Sequence, residues 1–99
     1  MERVYLGTEL KFKVEIQSEG FDMDTDDFTV EIVRGAKSVV FAKSDLVTDE
    51  MGMYYVCFDT TDFGVGTISA IVTAYITDPD FPDGLRTERE KYELLTVWK

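Results

Sequence analysis

The chain has 99 residues with 44% hydrophobic and 13% aromatic content, enough for one compact core but not for two, so a single domain over 1–99 is expected. Twenty acidic against ten basic residues give a formal net charge of −10, and there is no histidine. That balance excludes nucleic acid and anionic membrane surfaces as partners, because the few cations are scattered from Arg3 to Lys99, and it favours a basic protein surface instead.

The opening residues, Met1 to Thr8, lack the apolar stretch of a signal peptide, and no later run approaches the ~18 apolar residues of a membrane span. The chain as written therefore reads as cytoplasmic when made, with a virion as a further destination. Leu10, Phe12, Val14 and Ile16 then alternate with Glu9, Lys11, Lys13, Glu15 and Gln17. This period of two predicts a strand with one buried and one charged face. Phe28, Val30 and Ile32 repeat the pattern, and Arg34-Gly35-Ala36-Lys37 turns the chain into a second strand at 38–42, a β-hairpin.

The polar stretch 44–52 reads as a connection, with Leu46 and Val47 available to tuck beneath a sheet. In 53–58, Tyr54, Val56 and Phe58 share one face while Met53, Tyr55 and Cys57 share the other. Large side chains on both faces predict an interior strand or one face covered by a loop or partner, with Cys57 as a buried thiol that has no second cysteine with which to form a disulfide. A turn at 60–66 precedes the longest alternation, Ile68, Ala70, Val72, Ala74 and Ile76, which predicts a central strand.

Both prolines fall in 78–84, which must be a loop because proline has no N–H for a ladder. Segment 85–99 contains good helix formers, yet the loop before it closes most naturally as a long hairpin. A strand is expected there, charged at its start and buried at Tyr92, Leu94 and Val97 or Trp98. The whole reads as all-β, a two-sheet antiparallel β-sandwich of immunoglobulin-like type with about six or seven strands. The paired cysteines of an antibody-type domain are missing.

Without histidine, most acid–base and transition-metal sites are ruled out, and Cys57 has no imidazole to activate it. Carboxylate pairs such as Asp59 and Asp62 would serve catalysis only if buried in one pocket, so no enzyme activity is expected. Asp22, Asp24 and Asp26 offer alternating hard oxygens like the start of a calcium loop, but Asp27 and Val33 stand where an EF-hand needs glycine and glutamate. Asp78 and Asp80, with Asp83, form a second acidic cluster that could share an ion with the first if the loops met. Calcium is thus the one cofactor the sequence admits, and turn-forming aspartates with local backbone bonds are the competing reading. Asp62-Phe63-Gly64 is a turn rather than a kinase motif. Phe63 and Phe81 lie in loops and are candidate exposed contact residues, and Arg86 and Arg89 on the charged final strand are candidate interaction residues.

The runs Gly7-Thr8-Glu9-Leu10-Lys11-Phe12, Asp27-Phe28-Thr29-Val30-Glu31-Ile32, Gly52-Met53-Tyr54-Tyr55-Val56 and Pro82-Asp83-Gly84-Leu85-Arg86 resemble, in order and pattern, the small immunoglobulin-like modules of bacteriophage tails, including the amino-terminal domain of baseplate upper proteins. The resemblance implies a non-enzymatic structural or attachment part that joins a larger assembly, pairing with itself or with a protein partner through strand edges. The alternative is an extracellular domain that binds carbohydrate or protein, with calcium ordering its acidic loops.

Overall fold

The computed structural model describes residues 2–99 and contains eight strands in two sheets packed face to face. These are β1 (Glu2–Tyr5), β2 (Glu9–Val14), β3 (Asp27–Arg34), β4 (Lys37–Ala42), β5 (Val47–Thr48), β6 (Tyr54–Asp59), β7 (Gly66–Thr77) and β8 (Leu85–Trp98). One sheet has the order β1-β8-β7-β3-β4 and the other β2-β6-β5. Every pairing is antiparallel except β1 on β8, which is parallel.

Alternation puts Phe28, Val30 and Ile32 of β3 and Ile68, Ala70, Ala74 and Ile76 of β7 on the inner face of the larger sheet, all buried. Val14 of β2 and Val56 and Phe58 of β6 meet them from the smaller sheet. Ring contacts bind the layers, with Phe28 edge-on to Tyr54 at 5.5 Å and Phe58 edge-on to Phe63 at 5.3 Å.

The all-β sandwich of the sequence reading stands, with β7 central and β6 between β2 and β5. The helix-compatible C-terminal segment is a strand throughout, because pairing with the full length of β7 overrides its local propensity. Several expectations need correction. Two strands escaped the pattern, since β1 and β5 are too short to set a period. Leu46 packs against the core as expected, but Val47, on β5, is exposed. Cys57 is exposed because the outer face of β6 is open, so its second row of large side chains meets solvent. Phe63 is only 2% exposed, because the turn after β6 folds its ring down onto Phe58.

A β-bulge shifts the inward row of β8. Leu95 pairs with Ile68 while Glu93 pairs with Ser69, so Leu94 has no opposite number. Beyond the bulge Leu95 and Val97 are fully buried; before it the residues opposite the inner positions of β7 are Arg86, Glu88, Glu90 and Tyr92. Of the burial expected at Tyr92, Leu94 and Val97 or Trp98, Val97 is fully buried and Leu94 partly so, whereas Tyr92 is 46% exposed and Leu95 takes its place in the core.

Candidate protein-interaction groove

β8 outruns its parallel neighbour. β1 pairs only with Leu95–Trp98, so the edge of β8 before the bulge has β7 on one side and, among the described residues, no strand on the other. β2 is likewise an edge strand of its own sheet. Between the two sheets lies an open-sided groove in two joined parts.

The inner part, about 400 Å³, is walled by Phe12 and Val14 of β2, Ala70 and Val72 of β7, and Tyr92 and Leu94 of β8. The outer part, also about 400 Å³, shares Glu15, Val72 and Tyr92 with it and is bordered by Glu88 and Glu90. An apolar floor thus lies along one unpaired strand, with a rim of carboxylates in which Lys13 pairs with Glu15 at 2.9 Å.

The rim is held by a small set of bonds. Ser18 Oγ donates to Glu88 Oε1 at 2.7 Å, and the Tyr92 hydroxyl donates to Glu90. That bond raises the Tyr92 phenol above its ordinary range. Arg86 closes the far end, with Nη1 2.5 Å from Asp78 Oδ2, Nε 3.1 Å from Glu88 Oε2 and Nη2 donating to the Glu19 carbonyl. The Asp78 bond is the main reason its guanidinium is held more firmly protonated than usual. Arg89 lies on the outer face, donating to Thr73 Oγ1, and Phe81 is exposed in the loop between β7 and β8. Of the four interaction candidates, Arg86 bonds to the rim residue Glu88 without lining the groove, Arg89 and Phe81 stand outside it and Phe63 is core. The groove itself was out of reach of sequence reasoning, because it depends on which edges remain unpaired; the clue was Glu88 and Glu90 alternating toward Tyr92.

The two acidic loops lie at one end of the sandwich, joined through Arg86 to Glu19 and Asp78. Their carboxylates serve the local backbone. Asp22 Oδ1 accepts from the Asp24 N–H, Asp26 Oδ2 from the Asp22 N–H and Asp78 Oδ1 from the Asp80 N–H. Lys43 Nζ donates to the carbonyls of Asp24 and Asp26, supplying a cation of the protein's own. Among the described residues no three such side chains converge as metal ligands. Asp59 accepts from the N–H and hydroxyl of Thr61, bonds that hold its carboxyl below the ordinary range, the opposite of what a general acid requires.

Fold and groove together define a small β-sandwich domain with an open inter-sheet side. No protein-family model, no characterised protein and no solved structure matches this chain.

Proposed function

We propose that this domain is a non-enzymatic structural or protein-interaction module, a component of a phage or prophage tail or a similar assembly, whose partner presents a basic surface. The observation that carries the reading is the free edge of β8 above a groove with an apolar floor and an acidic rim. Unpaired edges are a liability that proteins cover or use, and an edge beside a hollow has both the main-chain groups and the side-chain pockets that strand addition needs. The strand order supports an immunoglobulin-like description, since a three-stranded sheet faces a larger one whose last strand carries a parallel first strand. The formal charge of −10 speeds encounter with a cationic partner and slows it with a copy of itself.

Co-expression of the chain with the products of its neighbouring genes tests this reading, followed by size-exclusion chromatography at low salt. A stable complex that dissociates as salt rises is expected. A chain that stays monomeric and retains none of those products overturns it.

A further inference from the structure

The edge of β8 from Thr87 to Leu94 carries outward-pointing backbone N–H and C=O groups at alternate residues, as any edge strand does. A strand laid on it continues the line already occupied by β1 and places every second side chain in the groove. Those side chains fall opposite the inward row Glu88, Glu90 and Tyr92, where Glu88 is already bonded to Arg86 and Ser18, with the Glu15–Lys13 ion pair facing from the other sheet. Beside Tyr92 the floor is apolar, formed by Phe12, Val14 and Leu94.

Cross-strand pairs of opposite charge stabilise a sheet and like charges oppose it. A second copy adding its own β8 edge in antiparallel fashion sets glutamates among glutamates, so the rim selects against self-pairing and against acidic strands. On the outer face of the same edge, Arg89 and Lys91 favour acidic or polar neighbours. Taking the domain as an interaction module, we infer that the groove receives an extended segment of a partner protein by strand addition to β8, with an apolar side chain opposite Tyr92, lysine or arginine opposite Glu90, and a second cation beyond it that shares Glu88 with Arg86.

The probe is a pair of fluorescent synthetic peptides of identical composition. In one, lysines and one large apolar residue share a face at period two; in the other, the lysines are scrambled onto both faces. Anisotropy titration of the full chain at low salt is expected to give micromolar binding of the first and at least tenfold weaker binding of the second. The double variant Glu88→Gln, Glu90→Gln should weaken the first peptide at least tenfold at a temperature where circular dichroism shows variant and parent equally folded. Hydrogen exchange should slow at amides within 87–94 when the peptide is bound.

Equal binding of the two peptides, indifference to the double variant, no binding at millimolar peptide, or dimerisation through β8 each overturns the inference. If the complex with the neighbouring gene products forms and survives the double variant, the groove assignment falls while the module reading stands. If the chain assembles with none of them, both fall.

Discussion

Ser18 Oγ and Glu88 Oε1, separated by 70 positions in sequence, meet at 2.7 Å and join the segment leaving β2 to the inward face of β8. This bond spans the groove mouth, joining the segment after one sheet to the other sheet on their open side. Glu88 is partly exposed and rehydrates when its partner is lost, so Ser18→Ala should cost about 0.5–1 kcal/mol. The melting temperature should fall by roughly 2–8 °C in a circular-dichroism scan. An unchanged midpoint would show that the mouth is held by packing alone.

Phe63 decides between a loop aromatic offered to a partner and a core residue. Its ring is buried against Phe58 beneath the turn, so Phe63→Ala should destabilise by about 3–5 kcal/mol in urea unfolding. A loss below about 1 kcal/mol would mean that the ring is dispensable to the core.

Such outcomes follow the boundary between what periodicity reveals and what topology adds. Leu10, Phe12 and Val14, or Ile68, Ala70 and Ala74, declare themselves because each strand has a single dry face. Phe63 does not, because a turn residue's burial depends on which strand end the chain folds over. Cys57 misled for a related reason. Apolar residues on both faces of β6 imply a second cover, whereas Tyr55 gains its partners from Lys11, 4.5 Å above its ring, and from Asp49. The bulge at Leu94 is invisible in a pattern read at period two, and so is the switch of the inward row from Tyr92 to Leu95.

Gly66 has φ +132°, and a Cβ placed on it would lie 3.0 Å from Arg34 Cδ. Arg34 cannot easily yield, because its Nε donates to the Phe63 carbonyl at 2.6 Å. Gly66→Ala therefore combines backbone strain with a clash, and should cost about 1–3 kcal/mol by chemical denaturation. Arg34→Ala should remove the clash, so the double variant should lose less than the sum of the two single ones. Strict additivity would rule out the contact as the cause.

The exposed thiol of Cys57 should react with a disulfide reagent in native buffer at nearly the rate of a free cysteine, with one equivalent consumed per chain. Cys57→Ser should leave the melting temperature within about 4 °C, as surface substitutions are worth less than about 0.5 kcal/mol. Reaction only after addition of denaturant would contradict the open outer face of β6.

Asp49 should shape both ends of the pH–stability profile. Its Oδ1 accepts from the N–H of Met53 at 3.0 Å and of Met51 at 2.9 Å, and its Oδ2 from the Tyr55 hydroxyl at 3.1 Å. The backbone bond from Met53 is the largest cause holding the carboxyl below its ordinary value of 3.8. The unfolded chain therefore takes up the proton first on acidification. The contribution is complete above pH 3.8 and is lost as pH falls through the depressed folded value. Tyr55 has the opposite sign at the alkaline end. Its bond to Asp49 raises the phenol above 10.0, so its contribution is present below pH 10 and is lost as pH rises through the raised folded value. Asp49→Asn retains the acceptor oxygen but not the charge, so urea midpoints measured from pH 2.5 to 11 should fall less steeply at both extremes than those of the parent. Parallel profiles for variant and parent would assign the pH dependence to other groups.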